Sequence, residues 1–449
     1  MNNYEFYDLL LANLNLYLLL TVIIFGVYYL LFRKKISTII DPLFLPVLYS
    51  AIGTVTVLLL FVTKHITTTA FTSYCCTQVA YYAGFFLLGK HQRKNEEYTI
   101  SEISPAFIRQ IKLAFAYFSV ILVFFQLLVY AQKGIPLFQF SRLDTYTGGS
   151  GFGIYSRFIE VSTIAVIYLY LVLFFNNKSN QFRWTYHLML FVTLIFLFLS
   201  GSKSALLIIP YVLFAFLRLH QNNLTVMKHP FTIHLKKRIF YVAVLAIALV
   251  LIVIKVQGVI TDGLSNPLVA LVLRFVHSGD TFWYAYPWNM YAKIEDSRPF
   301  LALFNDFLGF FRIYNWTALP ESLGFTLIKL QHSLDGNYGP NARQNVFGLV
   351  YFGYYGSIIF SFILGIIFHF IRNVLQRFCN SNFLTGIFFS ILFINAASLE
   401  IDPVLSLAYF DNAFFIYPLL IGLFLVIHSM LEQVKLNFLK ANLHLKKVQ

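Results

Sequence analysis

Acidic residues are scarce in this chain. It has 19 Asp and Glu against 33 Lys and Arg, and charged residues of both signs make up only 12% of its 449 positions. With 59% hydrophobic residues, that scarcity excludes a soluble globular protein of this size and indicates a polytopic, all-α membrane protein. The net charge of +14 does not imply a nucleic-acid partner, because no basic domain gathers it. Lys and Arg biased to the cytoplasmic side of a membrane explain the excess. Cysteine is almost absent: Cys75 and Cys76 adjoin in an apolar run and Cys379 stands alone, which excludes a disulfide framework and metal-ligand spacing. The opening stretch, MNNYEFYDLL, lacks a basic n-region and is not expected to act as a signal peptide. There is no Walker loop, no HExxH and no Asp-x-Asp, so neither a nucleotide, a metal nor another cofactor is expected to take part in any reaction.

What the chain does have is apolar runs. Read with the positions of Lys and Arg, they predict about eleven transmembrane helices, N-out and C-in. The expected spans are residues 14–32, 43–62, 69–88, 111–130, 158–175, 184–199, 204–219, 239–256, 346–370, 382–397 and 413–430. Basic clusters such as Arg33-Lys34-Lys35 and Lys236-Lys237-Arg238 fix the inner side. Three parts follow: residues 1–256 with eight spans, a large outer loop at 257–343, and residues 344–449 with three spans and a basic tail. The 51 Phe and 29 Tyr are read as lipid-facing bulk and interfacial belts.

Several stretches carry chemistry. In LDGNYGPNARQNVFGLVYFGYYG, Gly336, Gly339 and Pro340 bend the approach to a span and deliver Arg343 to its mouth. A guanidinium there suits a phosphate or diphosphate; the plain alternative is that Arg343 snorkels to the interface and anchors the helix. Spans 184–199 and 204–219 are short, so the connection SGSKS sits near the hydrocarbon edge, and Lys203 needs a polar cavity to face. Within the outer loop, residues 266–276 and 299–313 are read as helices that lie in the membrane interface or, alternatively, pack against the neighbouring spans. The second would align Phe300, Leu303, Phe304, Phe307, Leu308 and Phe311 on one face. Outer-face cations are Arg142, Arg157, Lys203, Arg274, Arg312 and Arg343, with His277, His332, Asp280 and Asp335 available as acid or base. Basic and acidic residues nearly balance in the large loop, so only locally grouped arginines would attract an anion there.

The hook Gly134-Ile135-Pro136-Leu137-Phe138 before a Gly-rich loop, the turn SGSKSALL between two spans, and GPNARQNVFGLVYFGYYGS entering a span together resemble the oligosaccharide repeat-unit polymerases, also called O-antigen polymerases. Arg142 and Gly153 also match an Arg…Gly pattern of some members' outer loops. This chain has Gly201-Ser202-Lys203 where relatives commonly carry Gly-Ser-Arg, and it lacks the second Arg…Gly pattern in its large loop.

The resemblance implies a C-type glycosyltransferase architecture in the cytoplasmic (inner) membrane, with its active site facing the periplasm. The implied reaction joins polyprenyl-diphosphate-linked repeat units and expels polyprenyl diphosphate. Arg343, Arg142 and Lys203 would hold the diphosphate, with Arg274 and Arg312 next in line, and His332 or Asp335 would serve as base. Partners would be lipid-linked glycan donor and acceptor, membrane lipid and a chain-length regulator protein. The alternatives are an O-antigen ligase and a lipid-linked oligosaccharide flippase or other transporter.

Overall fold

The computed structural model describes residues 1–87, 105–139, 153–176, 184–261, 266–296, 298–331, 339–379 and 382–448. Among these the chain is helical, with no strand. Helix α1 (Asn3–Ala12) opens on a capping box. The Asn2 side chain accepts the Glu5 N–H at 2.8 Å, and the Glu5 carboxylate accepts the Asn2 N–H at 3.2 Å. The chain continues through α2 (Leu14–Phe32), α3 (Phe44–Val62), α4 (Thr68–Leu87), α5 (Pro105–Lys133), α6 (Gly153–Phe175), α7 (Trp184–Leu199), α8 (Ile208–Leu219) and α9 (Pro230–Thr261). The expected large loop holds short helices α10 (Pro267–Val276), α11 (Asp280–Ala285), α12 (Pro299–Leu303), α13 (Asn305–Phe310) and α14 (Leu323–Lys329). Last come α15 (Gln344–His369), α16 (Phe383–Ala396), α17 (Pro403–Asp411) and α18 (Tyr417–Val448).

Six helical stretches among the described residues are long and apolar enough to cross a membrane, and four shorter apolar helices accompany them. This is an all-α membrane protein. Helix α2 turns most of its apolar surface outward, as a lipid-facing helix does, whereas α6 is largely enclosed. Helix α4, one of the expected spans, is too polar to count among the six. Ser73, Thr77 and Gln78 are buried on it, because its neighbours are protein on several sides.

Two sequence-based expectations need correction. The span expected at 346–370 is not one continuous rod. Gly353 sits at φ 69° and ψ −174°, a conformation that side chains on Cβ disfavour, and it divides α15 into arms α15a (344–352) and α15b (354–369). The arms fold against each other: Gly348 touches Ser357, Phe347 and Phe360 have ring centroids 5.7 Å apart, and Ser361 donates to Gln344 Oε1. On a straight helix Gln344 and Ser361 would stand ~25 Å apart. Arm α15b lies along α4, where Gly84 and Gly365 let the two backbones touch; a Cβ on either would strike the other helix.

The single amphipathic helix expected over 299–313 is two short helices that break at Phe304. Leu303 therefore turns inward while Phe300 is left exposed, and the six apolar residues do not share one face. Nor is the 257–343 region only a surface cover. In α11, Phe282 packs against Gly53 of α3 and edge-on to Tyr74 of α4 at 5.1 Å between centroids. Helix α1 caps this arrangement, with Phe6 stacked on Trp283 at 4.0 Å.

The short pair α7 and α8 lies close to the expected ranges. The SGSKS turn packs on the Gly134–Phe138 hook through Leu137, Leu197, Leu206 and Val253. At the bundle end where α3 begins, Asp41 and Arg372 form a buried bidentate ion pair, with oxygen–nitrogen distances of 2.9 and 2.6 Å.

Candidate functional site

The N-terminal end of α15a does not reach the end of the bundle. Asn345 donates from Nδ2 to Thr77 Oγ1 at 2.9 Å and to Gln78 Oε1 at 3.1 Å. Gln78 stands about 15 Å along α4 from Thr68 and about 14 Å from Leu87, at ~1.5 Å per residue. Arg343, which precedes the helix, is therefore carried to mid-depth of the helical bundle, not to its rim. It is only 3% exposed. Its Nη2 donates to the Ser278 carbonyl and to the Tyr49 carbonyl at 3.3 Å, and the guanidinium lies 5.9 Å from the centre of the Phe282 ring. Nη1 and Nε have no partner among the described residues. The Ser278 hydroxyl and Gln344 Nε2, both buried, are also unpartnered there. Unused donors in one small region are costly to bury, and a polar ligand would offset the cost.

Three carboxyl groups feel the charge of Arg343: Asp280, Glu400 and Asp402. Asp402 caps α17 by accepting the Leu405 N–H at 3.0 Å. Asp280 accepts the N–H of Thr281 at 2.8 Å, and the Thr281 hydroxyl donates to the Asn341 carbonyl at 2.5 Å, which ties α11 to the approach of α15. Burial pushes the Asp280 carboxyl up to about 7, against the Thr281 N–H and the charges of Arg343 and Arg274. Asp280 nonetheless keeps some accessible surface. Next to it His277 bonds Tyr7 of α1 at 2.5 Å, and burial, with Arg274 beside it, brings its imidazole down to about 4.

Glu400 is 3% exposed and is held by neutral groups. Its Oε1 accepts from the Ser50 hydroxyl, from Gln78 Nε2 at 2.5 Å and from the Tyr82 hydroxyl at 2.9 Å. The network extends through Tyr28 and Thr54, 2.8 Å apart, to Tyr74, 2.6 Å from Thr54. The N–H of Gln344 donates to the Glu400 carbonyl at 3.2 Å, so a backbone bond ties this acid to the residue that follows Arg343.

The sequence-predicted residues divide into groups. Arg343 and Asp280 come together, and Arg274, exposed in the last turn of α10, is near enough for its charge to act on Asp280, His277 and Tyr49. Lys203 lies half-buried in the turn between α7 and α8, beside the hook. Arg312 is exposed after α13, with φ 56°. His332, Asp335 and Arg142 lie outside the described residues. Arg157 serves the fold: it donates to Asn412 Oδ1 at 2.8 Å, to the Ala408 carbonyl at 3.3 Å and to Asp306, tying α13 to the bundle. Glu400 and Asp402 lie between the expected spans 382–397 and 413–430, where sequence alone offers only a turn. The signal that could have located Glu400 is α4 itself, whose run TSYCCTQVAYY is too polar for lipid and needs buried polar partners.

Comparison with protein-family models, with curated protein sequences and with solved structures returns no match.

Proposed function

We propose that the chain is a membrane glycosyltransferase that joins polyprenyl-diphosphate-linked oligosaccharide repeat units into a surface polysaccharide, O-antigen or capsule, at the outer face of the cytoplasmic membrane. The observation that carries the reading is the setting of Arg343, a buried guanidinium with N–H donors unused among the described residues, whose charge acts on three carboxyl groups. A hydroxyl that displaces a diphosphate needs both: a cation for the leaving group and an acceptor for the proton. The resemblance in the hook, the SGSKS turn and the GPNARQN approach supports the same reading. Donor and acceptor would both be lipid-linked glycans, and a chain-length regulator would be a partner. In this reading Arg343 faces the diphosphate and Arg274 adds a nearby positive charge.

A second reading draws support from the structure. A broken helix that carries a charged group to mid-depth is also how transporters build binding sites, so a flippase for the same lipid-linked glycan competes with the polymerase. One experiment separates the two. Purified protein in liposomes is given polyprenyl-diphosphate-linked repeat units, without ATP and with EDTA. Glycans longer than one repeat are expected, and Arg343→Lys should lose most of the rate despite keeping its charge, because a fork of donors becomes a point charge. Movement of single repeats across the bilayer without elongation would favour the transporter. Unimpaired elongation by Arg343→Lys would make Arg343 an anchor of the fold.

A further inference from the structure

Of the three carboxyl groups near Arg343, two have evident tasks. Asp402 caps a helix, and Asp280 is bonded to the N–H of the next residue in its own loop. Glu400 caps nothing and makes no ion pair among the described residues. A carboxyl group this deep is expensive to keep unless something uses it. Its bonding is also lopsided. Ser50, Gln78 and Tyr82, from two helices, all donate to Oε1, and Oε2 accepts nothing from the described residues. Three donors on one oxygen fix the plane of the carboxylate and leave the other oxygen free in a set direction. The Gln344 N–H on the Glu400 carbonyl, at 3.2 Å, holds that direction relative to Arg343 through backbone alone.

We infer that Glu400 is the general base of the reaction, and that its Oε2 receives the proton of the acceptor sugar's hydroxyl. The inference rests on the polymerase reading. The acceptor oxygen forms a bond to the anomeric carbon of the donor glycan as the bond from that carbon to the diphosphate oxygen breaks. The electron pair leaves on the diphosphate, whose charge meets the free N–H groups of Arg343. The hydroxyl proton passes to Oε2, and Ser50, Gln78 and Tyr82 keep Oε1 in place throughout. Glu400 then returns the proton to water before the next cycle.

The test compares wild type, Glu400→Gln and Glu400→Asp, purified and reconstituted with polyprenyl-diphosphate-linked repeat units. Elongation rate is measured against substrate concentration, and thermal unfolding reports folding. Glutamine keeps an acceptor for all three donors but cannot take a proton. Its kcat should fall by about 100-fold or more, with KM within about threefold of wild type. Aspartate retracts the carboxylate by about one carbon–carbon bond and should lose at least about tenfold in kcat at unchanged KM. If Glu400→Gln fails to fold, the aspartate variant carries the test alone. A folded variant of either kind that keeps more than a third of the wild-type kcat, or that loses activity through KM only, would overturn the assignment of Glu400 and leave the polymerase reading standing. Wild-type protein that never elongates the glycan would overturn both.

Discussion

Gln344 and Ser361 are 17 positions apart, yet the Ser361 hydroxyl donates to Gln344 Oε1 across the inside of a helical hairpin. The bond exists because the chain reverses at Gly353, whose φ of 69° with ψ of −174° is a region few residues other than glycine enter. No atom lies within 4 Å of where a Cβ would stand on Gly353, so the cost of a side chain there is backbone strain alone. Gly353→Ala should destabilise the protein by about 1–3 kcal/mol in thermal or denaturant unfolding. Gly422→Ala, helical and also with nothing within 4 Å, is the control and should be neutral or slightly stabilising. Equal stability of the two variants would mean that the hairpin does not depend on that conformation.

The pair Asp280 and His277 titrates in opposite senses. Asp280 has its carboxyl raised from 3.8 to about 7, so the folded state holds a proton that the unfolded chain has released. Its contribution to stability is present at about pH 4 and is lost as pH rises toward 7. His277 is lowered from 6.5 to about 4, so its contribution is present above pH 6.5 and is lost as pH falls toward 4. Between these limits the two slopes oppose each other in the wild type. Asp280→Asn should expose the histidine slope, with melting temperature falling in acid. His277→Gln should expose the aspartate slope, with melting temperature falling as pH rises from 4 to 7. Thermal melts across that range check both, and parallel profiles for the two variants would refute the assignment.

The ion pair of Asp41 and Arg372 is buried, with side-chain exposures of 0% and 3%. Removing one partner leaves the other charge enclosed and unpaired, so Arg372→Ala or Asp41→Ala should cost about 3–5 kcal/mol. Replacing both, as Asp41→Leu with Arg372→Met, should cost less than either single change. A double-mutant cycle built from Asp41→Leu, Arg372→Met and the double variant in denaturant unfolding measures the coupling, and strict additivity would show that the two residues do not act as a pair.

Much of the architecture was legible in the sequence because apolar length is a direct signal. The ranges of α7, α8 and α16 and the turn at Lys203 followed from run lengths and breakers. The hairpin in α15 was not legible. Both arms are apolar, and Gly353 is one of several glycines in GLVYFGYYG, so the run has the length of an ordinary span. Sequence spacing singled out Arg343, since Gly339 and Pro340 bend the loop before it, but it placed that residue at a helix mouth. Depth depends on which arm the loop feeds, and that is a tertiary fact. Glu400 escaped for a related reason: an acid just beyond an apolar run looks like a surface turn until α4 supplies its buried partners.

The reversal at Gly353 also has an electrostatic consequence. Arm α15a starts in the interior of the bundle, so the first N–H groups of a short helix, and the partial positive charge they carry, lie level with Gln78 and beside Glu400. A helix crossing in one stroke would have left that charge at the surface, where water screens it. Folded back, the same peptide bonds supply a fixed positive field beside Glu400, opposing the burial that raises its carboxyl above the ordinary range.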